Sequence, residues 1–380
     1  MKKWHFLNSY KLRNGVTIAN RIAMSPMTEK SSFHDGTITT DELNYYHSRA
    51  GGVGMLITGC ANVNDLGKGF EGELSITNEA VLPGLQRLAR TIKVGHTKAI
   101  LQIFSAGRMT NSKILRGQQP VSASAIPSLR PDAEIPRALT EAEVEQTIKD
   151  FGNATKLAIE AGFDGVELHG ANTYLLQQFF SPHSNRRTDQ WGGSLDKRMA
   201  FPLAVIEEAT RVIKETADRP FILGYRLSPE EREEPGIRLK DTLEFVKKLN
   251  KTAIDYLHIS LADAWAGSIV DSTQTTPVFE QIKAVLADDL PLITVGHVAS
   301  PQQADALIDA GNDFVAMGRE LIREPQWIQK VQNDDESAIR YTISESDRAE
   351  LQIPRPLWQF LLESFGRGFP LSTDENQIIH

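Results

Sequence analysis

Cysteine is nearly absent. The chain of 380 residues carries one, Cys60, which excludes an intramolecular disulfide and any cysteine-built zinc or iron–sulfur site. A reducing, cytoplasmic setting is the expectation. No apolar run approaches the length of a membrane span. The opening residues Met1 to Phe6 show no apolar segment and no small-residue cleavage site, so no signal peptide is read. An excess of basic residues is also lacking. Lys and Arg number 41 against 49 Asp and Glu, a net charge of −8, with the signs mixed along the chain. That argues against a nucleic-acid partner but leaves anionic small molecules open, because local fields differ from the total. What remains is 41% hydrophobic and 24% charged, the composition of a soluble globular protein with one large core or two ordinary ones.

Short apolar runs alternate with helical periods. Asn14-Gly15 between alternating runs predicts a hairpin over 11–20 that plugs the bottom of a barrel. Strands are predicted at 21–28 with its end marked by Pro26, then at 54–59, 99–104, 165–168, 220–227, 256–260, 291–296 and 314–318. Helices are predicted over 40–50, 78–94, 140–162, 195–215, 239–251, 277–287, 300–311 and from about 320 onward. Eight nearly continuous apolar strands, each followed by a helix, indicate a parallel α/β sheet buried on both faces. Eight is the number that closes a TIM barrel. The competing open, doubly wound sheet would carry a glycine-rich turn after strand one in its dinucleotide-binding form. Ser25, Pro26, Met27 and Thr28 stand there instead. Residues 1–341 are read as the barrel. Residues 107–139, rich in proline and without helical period, are read as an excursion over its mouth. Residues 342–380 form a C-terminal extension. Its apolar segment 356–365 is expected to pack on the barrel or on a neighbouring subunit, so a homo-oligomer stays open.

In a TIM barrel the reactive groups come from the C-terminal ends of the strands. Those ends read Thr28, Cys60, Gln102, His169, Arg226, Ser260, Gly296 and Gly318-Arg319. The densest cluster follows strand four, where His169, Asn172 and Tyr174 fall within six positions. A helical turn after Gly170 would set His169 and Asn172 side by side. Together with the Tyr174 phenol they suit a carbonyl that gains electron density. Each alone is more readily a satisfied buried polar group. Gly296 and Gly318-Arg319 close strands seven and eight, where TIM barrels commonly bind phosphate. Taken singly, Gly318-Arg319 reads equally as a tight turn with a surface arginine. Arg187 and Asp189 are expected to pair and brace the loop before Trp191. Glu167 with His169 makes only two ligands, which is not a metal site.

The segment His169-Gly170-Ala171-Asn172, Tyr174-Leu175-Leu176, Gln178-Phe179, Ser181-Pro182, Asn185, Arg187-Thr188-Asp189 and Trp191 to Ser194 strongly resembles the signature of the Old Yellow Enzyme family. These are FMN-dependent ene-reductases and NAD(P)H:flavin oxidoreductases. The resemblance extends from about Asn8 to Trp327 by order of motifs. It implies FMN as cofactor and NADH or NADPH as reductant. It also implies that His169 and Asn172 hold a substrate carbonyl oxygen and that Tyr174 delivers a proton. Ser25, Pro26, Met27 and Thr28 match the family's first FMN-contacting segment, with Thr28 at the flavin O4 edge. Gln102 would meet the pyrimidine edge, Arg226 would sit beside N1 and O2, and Gly296, Gly318 and Arg319 would take the phosphate. Cys60 stands where the family has a small residue near the flavin, and a small buried hydrophobe is at least as good a reading as a redox role. Lys30 occupies a position where one bacterial branch has tyrosine, while Asn172 follows the plant and yeast pattern. For the arginine that some members insert from a neighbouring subunit, Arg367 is the candidate.

The expected function is therefore an FMN-dependent NAD(P)H oxidoreductase of the ene-reductase type, acting on small molecules. Two rivals are a flavin-binding protein without turnover and a cofactor-free barrel lyase or isomerase on a phosphorylated substrate. The last usually needs a Schiff-base lysine or a carboxylate base, and no strand end supplies a lysine.

Overall fold

A computed structural model describes residues 4–365, 371–372 and 378–379. Its centre is a closed ring of eight parallel strands, β1 Ile22–Met24, β2 Met55–Asn62, β3 Lys98–Phe104, β4 Gly165–Gly170, β5 Ile222–Leu227, β6 Tyr256–Ile259, β7 Leu292–Val295 and β8 Phe314–Met317. Each strand pairs with its successor, and β8 returns to β1 through Val315↔Ile22. Helices cover the outside: α1 Thr40–Arg49, α2 Leu82–Ile92, α3 Glu141–Glu160, α4 Leu175–Phe180, α5 Leu195–Thr216, α6 Leu239–Leu249, α7 Val278–Lys283, α8 Pro301–Asp309, α9 Arg319–Arg323 and α10 Trp327–Gln332. This is the predicted barrel. Among the described residues no helix is long and apolar enough to cross a membrane.

Alternation along the strands sorts two cores. Outward residues such as Leu56, Leu101, Val166, Leu168 and Leu223 join the helix-covered cluster. Inward residues Ala23, Met55, Ile57, Ile100, Ile222, Tyr256, Ile293 and Phe314 fill the lower barrel. The hairpin Tyr10–Lys11 with Thr17–Ile18 closes that end, and its Leu12 and Ile18 are buried in the same cluster. Gly15 sits at the turn with φ +90°, which glycine adopts without strain.

Three elements differ from expectation. β2 runs on to Asn62 because a bulge at Thr58-Gly59 shifts its register against β3. Cys60 therefore lies within the strand rather than at its end. The helix after strand eight is broken into α9 and α10 by Pro325, which cannot continue a helix. The excursion 107–139 lacks helices, as read, but is held in place. Its Val121–Ser122 pairs with Arg137–Ala138. Arg187 donates to Ala123 O and Leu139 O while its Nε grips Asp189 at 3.0 Å; the pairing with Asp189 is the one expected from sequence, and the hold on the excursion is additional.

The extension continues as α11, Arg355–Phe365, whose Leu357, Trp358 and Leu361 are buried in the outer core of the barrel. Arg367 lies outside the described residues.

Candidate active site

β4 delivers the first group. Its residues are all buried, with Glu167 and His169 turned inward. Gly170 follows because a Cβ there would meet Tyr225 Oη at 2.2 Å. The Ala171 N–H donates to His169 Nδ1 at 3.3 Å. That fixes Nδ1 as an acceptor, so the ring proton sits on Nε2. Burial, with Arg226 and His258 nearby, holds the imidazole well below its ordinary pKa. His169 is a neutral donor.

The turn after Gly170 is not helical, which corrects the spacing argument. Asn172 and Thr173 have φ of +57° and +65°, and α4 starts only at Leu175. Asparagine enters the left-handed region readily, and a β-branched threonine does so at a cost. Bonds on all sides hold the pair there. Asn172 N donates to Ser228 Oγ at 2.9 Å, Thr173 N to Gln177 Oε1 at 2.9 Å, and Gln178 Nε2 to Thr173 O at 2.6 Å. Ser260 Oγ donates to Asn172 Oδ1 at 2.9 Å. The Asn172 oxygen is thereby occupied, and its Nδ2 remains as the donor of an exposed side chain.

Tyr174 caps α4 and stands edge-on to His169, centroids 4.8 Å apart, and to Phe104 at 4.9 Å. Phe70 meets it at 6.4 Å. Burial first, then Cys60 and Glu73, pushes the phenol well above its ordinary pKa. It stays protonated and can donate. Cys60, Ala106 and Met109 complete this apolar wall. Burial also raises the Cys60 thiol, which Thr28 hydrogen-bonds, so the sulfur is a thiol in a packed wall.

The barrel interior presents Gln102 and Arg226 beside these groups. Gln102 Nε2 donates to Glu167 Oε1 at 2.7 Å, leaving the amide oxygen to accept. Arg226 Nη2 donates to Ser260 Oγ at 3.2 Å, while its buried Nε has no protein partner among the described residues. Further round the rim a cavity of about 440 Å³ is lined by Met27, Gly296, His297, Gly318, Arg319 and Arg323, among others. Gly296 takes φ +140°, and a Cβ on it would lie 2.5 Å from Ala264 N. A Cβ on Gly318 would lie 3.1 Å from Met27 Sδ. Both glycines line the cavity without a side chain to fill it, and Arg319 contributes a guanidinium. An amide and a buried guanidinium with an orphaned N–H, beside a glycine-walled cavity with two arginines, fit a flavin ring and one phosphate.

Sequence reasoning missed the supporting residues. Ser228 lies just past strand five, where a strand-end reading could have found it. Phe70 and Phe104 wall the site and give no motif. His258 lies one residue short of the strand end. His297, left unassigned from sequence, lines the cavity.

The sequence profile of the NADH:flavin oxidoreductase / NADH oxidase family matches residues 8–337. A probable NADH-dependent flavin oxidoreductase of Bacillus subtilis is 43% identical over 94% of this chain and 95% of its own length. The NADH:fumarate oxidoreductase of Klebsiella pneumoniae is 44% identical over 94% of this chain, which spans only 39% of that protein. The solved structure of morphinone reductase is 26% identical with a TM-score of 0.76, covering 89% of this chain and 91% of its own. The glycine-walled cavity and the donor set beside it accord with FMN as cofactor and a nicotinamide as reductant, and the chain belongs to the NADH:flavin oxidoreductase / NADH oxidase family, the Old Yellow Enzyme type.

Proposed function

We propose that the protein reduces activated C=C bonds, in enones and related electrophilic acceptors, using NADH or NADPH. The supporting observation is the way two hydrogen bonds, one from a backbone amide and one from a serine hydroxyl, orient the donors. Ala171 N–H on His169 Nδ1 and Ser260 O–H on Asn172 Oδ1 leave His169 Nε2–H and Asn172 Nδ2–H as the free donors. The Tyr174 ring stands 4.8 Å from the imidazole. Bound FMN supplies the hydride chemistry, with N5 as the relay between nicotinamide and acceptor. His169 and Asn172 hold the acceptor's carbonyl oxygen as charge builds on it. Tyr174 protonates the α-carbon, a role its raised phenol pKa allows. Phe70, Phe104 and Met109 keep water from the reacting carbons. Thr28, within the Ser25–Pro26–Met27–Thr28 segment, would meet the flavin O4 edge and Gln102 the pyrimidine edge. Arg226 would stand beside N1 and O2 of the bound flavin, and Gly296, Gly318 and Arg319 would hold its phosphate. Reductant and acceptor share one seat in turn, so kinetics are ping-pong. A cytoplasmic enzyme fits the single buried cysteine.

The test is anaerobic stopped-flow of both half-reactions. Tyr174→Phe should leave flavin reduction by NAD(P)H nearly unchanged and slow enone reduction by about 10²–10⁴-fold. His169→Ala and Asn172→Ala should each weaken phenol binding by roughly ten- to a hundredfold, non-additively because both hold one atom. Equal slowing of both half-reactions in Tyr174→Phe, or intact phenol binding in the other two variants, refutes these roles. A flavin that NADH bleaches but no enone recolours would favour binding without turnover.

A further inference from the structure

Below the site, four consecutive strands place polar side chains inside a barrel that is otherwise apolar. They are Gln102 on β3, Glu167 on β4, Arg226 on β5 and His258 on β6. Register sets Gln102 opposite Glu167 and Arg226 opposite His258. Glu167 lies opposite Gly224. Its Oε1 accepts Gln102 Nε2 at 2.7 Å, and its Oε2 meets His258 Nδ1 at 2.9 Å. Both side chains of the Glu167–His258 pair are 0% exposed. Burial opposes the carboxylate, but His258, Arg226 and Gln102 outweigh it and its pKa is lowered. Glu167 is ionised, so His258 Nδ1 carries a proton. Burial and Arg226 hold the imidazole pKa below its ordinary value against the pull of Glu167. The ring is then neutral, and Nε2 is its titrating atom. That atom is buried with no partner among the described residues.

The charges facing His258 are few. Glu167 and His169 come from β4, Arg226 from β5 and the Tyr256 phenol from its own strand. β1, β7 and β8 carry no titratable residue, β2 carries only Cys60, and β3 carries only Lys98, at its opposite end from Gln102. Arg226 and Glu167 cancel, so a proton on His258 would leave one net positive charge in a fully buried interior. A negative charge arriving beside Arg226 reverses that balance, because opposite charges at close range in low dielectric interact strongly.

We propose that His258, held by Glu167, is a redox-linked proton site that binds one solvent proton at Nε2 when the flavin beside Arg226 is reduced. This rests on the FMN placement proposed above. The nicotinamide supplies a hydride, which carries two electrons and one proton to the flavin. The proton on His258 is a second, separate proton drawn from water, and reoxidation returns it. Glu167 is the positioning residue. It fixes the tautomer and keeps the imidazolium paired.

The test is the midpoint potential of the FMN-loaded enzyme from pH 5.5 to 8.5, in wild type, His258→Gln and Glu167→Gln. Each proton taken up with two electrons changes the equilibrium tenfold per pH unit, about 30 mV. The wild type should show a hundredfold dependence per unit at the lower end, bending to tenfold at the upper end. His258→Gln should show tenfold throughout. Glu167→Gln, lacking the ionic partner, should move the bend to lower pH. If His258→Gln keeps the wild-type slope, the second proton resides on the flavin and the proposal is overturned. A second measurement needs no variant. In ¹⁵N-histidine-labelled wild type, the His258 Nε2 resonance should move to its protonated position on reduction with dithionite, and an unmoved resonance also overturns the proposal. Neither readout involves an acceptor. An enzyme that shows the linked proton but reduces no enone would refute the proposed activity alone, and an enone reductase without the linked proton would refute this inference alone.

Discussion

Buried carboxylates give this protein a pH dependence that can be traced to single residues. Glu42 on α1 is 1% exposed and accepts Ser32 Oγ at 2.7 Å. Burial pushes its pKa up to about 7, with Ser32 and the Thr39 contact pulling the other way. Glu29, also buried and raised, lies close by. The folded pKa exceeds the unfolded one, so the folded state binds the proton more tightly. The stabilisation from that proton is complete below about pH 4.5 and is lost as pH rises through about 7. The shift corresponds to at most about 3 kcal/mol. Glu42→Gln keeps an oxygen for Ser32 and removes the ionisation. Relative to wild type it should gain little at pH 4.5 and about 2–3 kcal/mol at pH 8, read from urea midpoints at the two pH values. A difference that does not change with pH would show that Glu42 is not the titrating group. None of this was readable from sequence. A glutamate in the first turn of a helix looks like a favourable, solvated partner of the dipole. Only the fold, which buries it beside Ser32 and Glu29, makes it a buried acid.

At the scale of elements, the eight strand–helix units were readable because each buried parallel strand is a short apolar run closed by a turn. The same reasoning failed at the turn carrying Asn172, where a helical spacing was assumed and left-handed backbone was found. Its geometry depends on partners distant in sequence. Gln178 on α4 accepts from Arg108 N at 3.1 Å and Ser122 Oγ at 2.9 Å, and donates to Ala106 O at 3.0 Å and Thr173 O at 2.6 Å. One amide thus ties the excursion, the residue Ala106 just past β3 and the Asn172–Tyr174 turn together. Gly107 makes room for it: φ is +61°, and a Cβ would lie 2.1 Å from Gln178 Oε1. A flexible side chain could normally step aside, but this one has four bonds to lose. Gly107→Ala should destabilise by about 1–3 kcal/mol or more and weaken phenol binding while FMN affinity is retained. Equilibrium denaturation and phenol titration would check it. Lower stability with unaltered phenol affinity would mean that Gln178 braces the excursion without positioning the turn.

For the whole molecule, the open question from sequence was where residues beyond 341 belong. The apolar pattern of 356–365 demanded a partner but could not name one, because the partner surface is assembled from distant parts of the chain. The fully buried Arg49 on α1 donates to Ile322 O at 3.0 Å and Leu351 O at 3.1 Å, bridging α9 to the extension. Arg323 on α9 donates to Tyr341 O at 2.7 Å. Neither arginine carries a sequence signal for such a contact, since a guanidinium that satisfies backbone carbonyls looks like any surface cation until the fold closes over it. On this frame α11 lays Leu357, Trp358 and Leu361 into the barrel's outer core. It also reaches the mouth, where Lys30 Nζ lies 4.2 Å from the Phe360 ring centre. The extension should then unfold with the barrel as one unit. Trp358, 5% exposed, is the residue to remove. Truncating a buried tryptophan to alanine typically costs about 3–5 kcal/mol, and in one cooperative unit the whole cost should lower the single midpoint reported by far-ultraviolet circular dichroism and by flavin fluorescence alike. If Trp358→Ala instead splits the curve, with an early phase confined to the helix signal and flavin release at the wild-type midpoint, the extension is a separable appendage and the buried arginines do not couple it to the barrel.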